Sequence, residues 1–261
     1  MVRIFITGSS DGLGLRAAQA LSQRGHEVYL HARTPQRATE ARSSCPSAKD
    51  VFIADLSSTS ETQSLATQLN TSGPWDTIIH NAGVMHGASA QGKGKEGLPK
   101  LFAVNTLAPY ILTSLVDPPP KRYVFVASGM HHGGDATLRD VQSATYSDSK
   151  LHNVLLAFWF ARRFAGKGVT SNALNPGWVP TKMGGSGAPD DINASIETYV
   201  MLAEGSGVSE GKTGKFWYQS REARSGGSGR ETSYTTKADE AARQDKLIEI
   251  LEKISGVQPP E

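Results

Sequence analysis

The first fourteen residues of the chain constrain its fold more than any other stretch. Within residues 2–6, Val2, Ile4, Phe5 and Ile6 form a short apolar run that is too brief for a helix, so it predicts a strand buried on both faces of a sheet. Gly8, Gly12 and Gly14 then recur with the spacing G-x-x-x-G-x-G, and the apolar residues after them mark one face of a helix that ends near Gly25. Glycine lets a backbone turn tightly and approach a ligand, and a helix N-terminus presents unpaired N–H donors. A strand, a glycine turn and a helix in this order therefore favour phosphate binding.

The glycine spacing is a weak signal by itself. It departs from the G-x-G-x-x-G pattern of dinucleotide sites, and a glycine-rich turn between a strand and a helix also occurs where only tight packing is needed. The phosphate-binding interpretation therefore depends on residues further along the chain.

The rest of the chain alternates short apolar runs with helical patterns, as expected for a parallel sheet covered by helices. With 261 residues and 38% apolar content, it can bury a sizeable core without a second domain. We predict a single-domain α/β Rossmann fold over residues 1–261, a doubly wound parallel sheet of about seven strands with helices on both faces. The predicted strands are residues 2–6, 27–31, 51–54, 77–79, 123–127, 169–174 and 215–218; helices are predicted after the glycine turn, around Leu65 and Leu69, and at residues 35–42, 101–115, 145–165, 191–203 and 239–254.

Two segments predict loops. Residues 87–97 and 220–236 are rich in glycine, serine and charged side chains. The second loop and the closing amphipathic helix together make up a C-terminal segment, residues 220–261.

Composition and local pattern argue against several kinds of partner and site. The formal net charge is only +2, with no basic block, so we expect no nucleic-acid partner. The lone Cys45 cannot form an internal disulfide, and no apolar run is long enough for a signal peptide or a membrane span. These features predict a cytoplasmic protein without a membrane anchor. His131 and His132 are adjacent and no further His/Cys cluster follows, so no metal site is predicted.

Candidate ligand contacts follow the predicted strands, because open parallel sheets place ligands at those ends. The second strand ends at Arg33; a carboxylate there would pair with ribose hydroxyls, whereas a guanidinium suits a 2′-phosphate. Arg33 therefore favours NADP over NAD, unless it is only a solvated strand end, and Asp11 would weaken phosphate binding if it lies nearby. Asp55, which precedes Leu56, could accept a hydrogen bond from adenine or serve as a helix N-cap. Asn81 could brace strands or contact the cofactor.

The strongest chemical signal is Tyr146 with Lys150, preceded by Ser128 at the end of the fifth strand. Positions i and i+4 share one face of a helix, so the phenol and the ammonium are expected to lie together. A free tyrosine is only about one part in a thousand ionised at neutral pH, and a nearby cation is expected to lower its pKa. The pair can then donate and accept protons, although a lone Y-x-x-x-K pattern often arises by chance.

Taken together, these motifs make the chain resemble the short-chain dehydrogenase/reductase family over residues 3 to about 218. The motifs that carry the resemblance are T-G-S-S-D-G-L-G at residues 7–14, Asp55, N-A-G at residues 81–83, Asn105 within F-A-V-N-T, Ser128, Tyr146 with Lys150, and N-P-G at residues 175–177.

The resemblance implies a role for each matching residue. Tyr146 would be the catalytic acid and base, Lys150 would lower its pKa and bind the nicotinamide ribose, and Ser128 would orient the substrate oxygen. Asn105 would hold a water in a proton relay, and Thr181 would bond the carboxamide of the nicotinamide. The implied cofactor contacts are Gly8, Ser10, Asp11, Gly12, Leu13, Gly14, Arg33, Asp55, Leu56, Asn81, Ala82, Gly83, Tyr146, Lys150, Pro176, Gly177, Val179 and Thr181.

The insertion between Ser128 and Tyr146, which contains H-H-G-G-D at residues 131–135, is similar to the retinol-dehydrogenase-like and carbonyl-reductase-like branch of this family. The stretch T-G-K-F-W-Y at residues 213–218, with the charged tail and helix that follow it, also resembles that branch. In the family, the two helices that correspond to residues 101–115 and 145–165 commonly form a dimer interface. The resemblance therefore implies a homodimer or homotetramer, although the proline run after residue 116 shortens the first helix and leaves a monomer possible.

The predicted function is interconversion of a carbonyl and an alcohol on a small molecule by an NADP(H)-dependent oxidoreductase, with NAD(H) as the less favoured cofactor. Residues 182–204, which begin with a glycine-rich stretch, are predicted to form a substrate lid, and Trp178 and Met183 to line an apolar pocket. Two alternatives are a cofactor-binding regulator without turnover and epimerase or dehydratase chemistry on a nucleotide sugar.

Overall fold

The computed structural model of the chain describes residues 1–88, 90–223 and 241–260. Its strands are β1 (Arg3–Ile6), β2 (Glu27–Ala32), β3 (Asp50–Ile53), β4 (Thr77–His80), β5 (Arg122–Val126), β6 (Thr170–Asn175), β7 (Phe216–Tyr218) and β8 (Arg221–Ala223). They form one sheet in the order β3-β2-β1-β4-β5-β6-β7-β8. All pairs are parallel except β7 with β8. Successive strands add on one side of β1 and then, from β4 onward, on the other, so the predicted doubly wound α/β fold is confirmed.

The eighth strand was not predicted, and it corrects the assignment of residues 220–236 as a loop. β8 pairs with β7 so that Trp217 lies opposite Glu222. Gln219 and Ser220 make the reversal with φ of 47° and 54°, in the left-handed region. Because neither residue is glycine, the usual sequence signal for such a turn is missing. Residues 224–236 of that predicted loop, and residues 239–240 of the predicted closing helix, lie outside the described residues.

Helices cover both faces of the sheet. They are α1 (Gly12–Gln23), α2 (Pro35–Ser44), α3 (Thr59–Ser72), α4 (Lys100–Phe102), α5 (Ala108–Leu115), α6 (Tyr146–Arg163), α7 (Ile192–Glu204) and α8 (Ala241–Ser255). One core cluster lies between the sheet and α1, α2 and α7, and the other lies between the sheet and α3, α5, α6 and α8.

After Arg3, β1 is apolar because it is buried on both faces of the sheet. Ile4 and Ile6 pack in one core cluster and Phe5 packs in the other, because successive side chains of a strand point to opposite faces. All three side chains are fully buried. The glycine turn that follows is therefore attached to one of the best-anchored strands of the sheet.

α4, a π-helical turn (Ala103–Leu107) and α5 run on as one helix, which agrees with the prediction of a helix over residues 101–115. Asn105 lies in the π-helical turn. Such a turn makes a local irregularity in the helical hydrogen bonding. The helix ends at Leu115, three residues ahead of Pro118, the first of three consecutive prolines.

The predicted loop at residues 87–97, of which Ser89 is not described, is attached to α3 by Glu96. The Glu96 carboxylate accepts hydrogen bonds from the Ser58 and Ser60 hydroxyl groups, both at 2.8 Å, and from the Thr59 and Ser60 N–H groups, both at 3.1 Å. Burial opposes ionisation, but these hydrogen bonds outweigh it and lower the pKa of Glu96 to about 2. We call this contact the Glu96 clasp.

α8 covers part of the outer surface of α6. The Trp159 indole donates to Asp245 at 2.9 Å, and Arg162 donates to Gln244 at 2.7 Å. Beyond α8, the Tyr110 hydroxyl of α5 donates to the Val257 carbonyl at 2.7 Å.

The dimer or tetramer expected from the sequence stays a prediction. Among the described residues, no helix combines the length and apolar character needed to cross a membrane.

Candidate active site

A cleft of about 620 Å³ opens at the carboxyl ends of the strands, around the point where the strand order changes direction between β1 and β4. Sixteen of the predicted site residues border this cleft. They are Gly8, Ser10, Asp11, Gly12, Leu13, Gly14, Arg33, Asp55, Leu56, Asn81, Ala82, Gly83, Tyr146, Lys150, Pro176 and Thr181.

Four predicted residues do not border the cleft. Ser128 caps the short helical turn Gly129–Gly133 and accepts a hydrogen bond from the Met130 N–H group at 3.2 Å. Asn105 is fully buried, and Val179 is also buried. Gly177 has a φ of 83°, and a Cβ there would lie 2.6 Å from Asp190, so this position requires glycine for backbone reasons.

The glycine turn has the shape that a diphosphate needs. A Cβ on Gly14 would lie 2.4 Å from the Asn81 side chain, so only glycine fits, whereas a Cβ on Gly12 would meet nothing within 4 Å. α1 begins at Gly12, and the Asp11 side chain makes no capping hydrogen bond there. The N–H groups in the first turn of α1 therefore have no side-chain hydrogen-bond acceptor at Asp11, and the cleft is open there. The turn fits a dinucleotide, whose diphosphate could accept from these groups.

Asn81 braces the strands, which was one of the two roles left open by the sequence. Its side-chain amide donates to the Thr7 and Gly8 carbonyl groups, both at 3.0 Å. Its side-chain oxygen accepts a hydrogen bond from the Tyr199 hydroxyl at 2.9 Å. Tyr199 is fully buried on α7 and also borders the cleft, and nothing in the sequence pattern indicated it.

A second arginine, which the sequence analysis missed, lies beside Arg33. Arg37 borders the cleft and donates to Asp11 at 2.6 Å and to Ser10 at 3.2 Å. Lys182 also lies 3.6 Å from the Asp11 carboxylate. Asp11, expected to oppose phosphate binding, is thus paired with two cations. The signal that could have revealed Arg37 is its position four residues after Arg33, at the start of α2.

Asp55 does not cap α3, so that alternative was wrong. The N-cap is Ser58, whose hydroxyl accepts a hydrogen bond from the Glu61 N–H group at 3.3 Å. The Asp55 carboxylate instead accepts hydrogen bonds from the N–H and hydroxyl groups of Ser57, at 2.9 and 2.8 Å. This turn holds Asp55 at the cleft wall.

α6 places Tyr146 at its first residue and Lys150 one turn later. Thr145 and Asp148 form a reciprocal capping box that fixes where the helix begins. Lys150 is 3% exposed, its Nζ donates to the Val126 carbonyl of β5 at 2.8 Å, and the same atom lies 5.5 Å from the centroid of the Tyr146 ring. The two side chains therefore meet, as predicted from their spacing.

The pKa of Tyr146 shifts in the direction opposite to the one predicted from the sequence. Burial raises the pKa of the Tyr146 phenol, and the hydrogen bond with Ser128 only partly offsets this rise. Burial also lowers the pKa of Lys150 to about 8. The expected lowering of the Tyr146 pKa by Lys150 was wrong for this structure, because the ammonium points to a backbone carbonyl and desolvation of the phenol dominates.

The Asn105 side chain is occupied by structural hydrogen bonds. Its oxygen accepts from the Val84 N–H group at 2.8 Å, and its amide donates to the Val84 carbonyl and the Ser149 hydroxyl, both at 2.9 Å. These bonds tie the segment after β4 to α6, beside Lys150. The water-holding role implied by the resemblance is left untested by these contacts.

The predicted lid, residues 182–204, contains two different structures. Residues 178–190 form a compact loop, closed at its base by hydrogen bonds from the Trp178 N–H to the Asp190 carboxylate at 2.6 Å and from the Asp190 N–H to the Trp178 carbonyl at 3.0 Å. Inside this loop, which we call the 178–190 loop, the Trp178 indole donates to Gly184 at 2.8 Å. α7 follows, and its Tyr199 and Ala203 are buried in the core.

The 178–190 loop reaches the end of the cleft where Tyr146 lies. The Met183 sulfur lies 4.0 Å from the Tyr146 hydroxyl. Trp178 is 60% exposed, Met183 40% and Met130 47%, although all three are large and apolar. Of these three, Met183 borders the cleft and lies beside the phenol, and Trp178 belongs to the same loop.

The sequence and the structure both match known proteins. The model of the short chain dehydrogenase family matches residues 3–191. An uncharacterized oxidoreductase of Emericella nidulans is 44% identical over 263 residues, which cover 100% of this chain and 99% of that protein. Retinol dehydrogenase 14 of Mus musculus is 32% identical over 209 residues, covering 69% of this chain and 62% of that protein.

Solved structures agree with this result. The crystal structure of an uncharacterized protein from Mycobacterium paratuberculosis superposes with a TM-score of 0.79 at 25% identity. The match covers 100% of this chain and 96% of that chain. The whole described architecture, including the region after residue 191, therefore has a counterpart of known structure.

Proposed function

Since the chain belongs to the short-chain dehydrogenase family, we propose that it uses NADP(H) to interconvert a carbonyl and an alcohol group on a small molecule, with Tyr146 as the acid and base. Membership makes the chain an oxidoreductase that uses a nicotinamide cofactor. The resemblance to retinol dehydrogenases indicated by the sequence is confirmed at the level of relatedness.

One observation carries the proposal. Tyr146 and Lys150 border the same cleft as the glycine turn and Arg33. Lys150 bonds to β5, Arg33 follows β2, and the glycine turn follows β1, which lies between them in the sheet. An elongated dinucleotide bound along this edge would bring its nicotinamide to the Tyr146 end.

Preference for NADP(H) follows from the basic end of the cleft. Arg33 and Arg37 offer planar guanidinium groups, which bind phosphate with several donors at once. Arg37 is held at the site by both of its terminal nitrogens: Nη2 donates to Asp11 and Ser10, and Nη1 donates to Glu40. A 2′-phosphate would find two cations there, with Asp11 already paired.

The phenol of Tyr146 is suited to donate a proton. A bound nicotinamide supplies or accepts the hydride. In the reductive direction Tyr146 protonates the carbonyl oxygen, and its raised pKa keeps the proton on the phenol at neutral pH. Ser128, which hydrogen-bonds the phenol, would hold the same oxygen. Lys150, with a pKa of about 8, is mostly charged at neutral pH and would bind ribose hydroxyls.

The substrate end favours apolar carbonyl compounds, and the 178–190 loop is the moving part of the lid. Met183 beside the phenol and Trp178 of the same loop expose apolar surface, which a bulky substrate would bury. Because α7 is buried in the core, we limit the lid to residues 178–190 rather than 182–204.

The test is consumption of NADPH, and of NADH in parallel, by the purified protein with a panel of aldehydes, ketones and quinones. We expect turnover with a preference for NADPH, and loss of at least roughly 100-fold in kcat in Tyr146→Phe. Tyr29→Phe is the matched control, because that phenol bonds Arg3 outside the cleft. Turnover retained in Tyr146→Phe would refute the role of the phenol. A preference for NADH would refute the role of the arginines alone.

A further inference from the structure

We propose that His31 is a positioning residue for the cofactor: its ring holds the Gly8 N–H group and so fixes the shape of the glycine turn that receives the diphosphate. The role rests on the proposed function, because it assumes that a dinucleotide binds at that turn. His31 borders the cleft together with Gly8.

His31 joins the ends of three neighbouring strands. Its Nδ1 lies 3.0 Å from the Gly8 nitrogen after β1, and its Nε2 lies 3.0 Å from the Ala54 carbonyl oxygen after β3. The backbone of His31 bonds Ser9 as well: its N–H donates to the Ser9 hydroxyl at 2.8 Å, and its carbonyl accepts from the Ser9 N–H at 3.1 Å. The first part of the glycine turn is thus attached to one residue of β2.

The hydrogen bonds determine the protonation of the ring. A backbone N–H only donates, so Nδ1 must be the unprotonated acceptor; a carbonyl only accepts, so Nε2 must carry the hydrogen. The ring therefore has to be neutral. Burial favours that state and lowers the pKa of His31 to about 4, although the Ala54 carbonyl and the Asp55 carboxylate act in the opposite direction.

The Thr7–Gly8 peptide group has little freedom while it is held at both ends. His31 accepts from its N–H group, and the Asn81 amide donates to its carbonyl oxygen, which belongs to Thr7, and to the Gly8 carbonyl of the next peptide group, both at 3.0 Å. Gly8 has a φ of 61°, and a Cβ there would lie 2.7 Å from the Ala82 Cα, so the backbone packs closely against the segment after β4. Without the His31 acceptor, the Gly8 N–H at the cleft would lack its partner. Rotation of that peptide toward another acceptor would then displace the residues that follow it, up to Gly12.

Two amide variants separate the bond to Gly8 from the bond to Ala54. In His31→Asn, the side-chain oxygen lies as far along the side chain as Nδ1, so it can still accept from Gly8. In His31→Gln, the side-chain amide lies as far along as Nε2, so it can still donate to Ala54. Both replacements are neutral and polar, which makes each the control for the other.

The experiment measures the dissociation constants of NADPH and NADP⁺ by titration calorimetry, together with kcat at saturating cofactor and the melting temperature. We expect His31→Asn to bind within about threefold of the unmodified chain and His31→Gln to bind at least roughly tenfold more weakly. The value of kcat at saturation should stay unchanged in both. Equal cofactor affinities in the two variants, with only the melting temperature altered, would overturn the role and leave His31 a structural residue.

The ring can also be examined in the unmodified chain, in case a variant does not fold. With ¹⁵N-labelled histidine, we expect His31 Nδ1 to give the shift of an unprotonated acceptor; a protonated Nδ1 would overturn the role. Failure of the unmodified chain to bind either dinucleotide would instead refute the proposed function, so the two failures are distinguishable.

Discussion

Replacing Glu96 with glutamine tests whether the Glu96 clasp contributes to folding stability. Glutamine keeps one oxygen for the hydroxyl groups of Ser58 and Ser60, but it loses the charge and presents an amide to the Thr59 N–H group. That N–H belongs to the first turn of α3, where a negative charge is favourable. The variant therefore loses one hydrogen bond, the charge assistance of the others, and the interaction with the helix dipole.

The magnitude follows from the pKa of the carboxylate. A fall from 4.5 to about 2 corresponds to roughly 3 kcal/mol at neutral pH if all of it contributes to stability. Glu96 is exposed, so solvent screening reduces the expected loss to about 1–2 kcal/mol. For a domain of this size, such a loss lowers the melting temperature by roughly 2–8 °C.

The sign of the pH dependence is fixed by the direction of the shift. The folded-state pKa lies below the unfolded value, so the stabilisation is complete above pH 4.5 and is lost as the pH falls from 4.5 toward about 2. The difference in melting temperature between the unmodified chain and Glu96→Gln should therefore shrink over that range.

The assay is thermal unfolding followed by circular dichroism between pH 3 and pH 8, run on Glu96→Gln and on Glu197→Gln. Glu197 is a matched control, because its exposed carboxylate on α7 makes no hydrogen bond or ion pair with the residues that the structure describes. Equal melting temperatures for the two variants at pH 7, or a difference that does not change with pH, would refute the reasoning.

Three further predictions concern the cleft. Arg37→Ala should weaken NADPH binding roughly tenfold and leave NADH binding nearly unchanged, because only the former has a 2′-phosphate; equal losses measured by calorimetry would contradict this. Trp178→Ala should raise KM for bulky apolar carbonyls but not for acetaldehyde, since only the bulky compounds bury the indole surface; an unchanged KM in steady-state kinetics would remove Trp178 from the pocket. Since burial lowers the pKa of Lys150 to about 8, the ammonium is lost as the pH rises through 8; kcat/KM for the cofactor should fall there, and a flat profile to pH 10 would count against a charged Lys150 in binding.

The sequence predicted those parts of the fold that local pattern determines. Ile4, Phe5 and Ile6 of β1 are apolar because both faces of the strand are buried, and α6 begins where Thr145 and Asp148 cap it. Both elements could therefore be located from composition and spacing. The i, i+4 relation of Tyr146 and Lys150 was enough to bring their side chains to one place, since a helix has fixed geometry.

Contacts between residues that are far apart in the sequence could not be predicted from local sequence patterns. His31 bonds residues 23 positions away on either side, and the sequence gives no sign of which strand ends will be neighbours at that depth. The direction of the Tyr146 pKa shift also depended on burial, which spacing does not report. β8 was not predicted because its turn uses Gln219 and Ser220 at positive φ. Glycine or asparagine at such positions would normally indicate a chain reversal in the sequence.

The closed base of the 178–190 loop has a consequence for how specificity could be altered. Because Trp178 and Asp190 pair with each other, the ends of the loop are held together by its own residues, and its interior is bridged by the indole and Gly184. We therefore expect that exposed residues between its two closing positions can be replaced while the sheet and α7 keep their packing. If the loop contacts the substrate as proposed, substrate choice could then change without loss of stability in the rest of the chain.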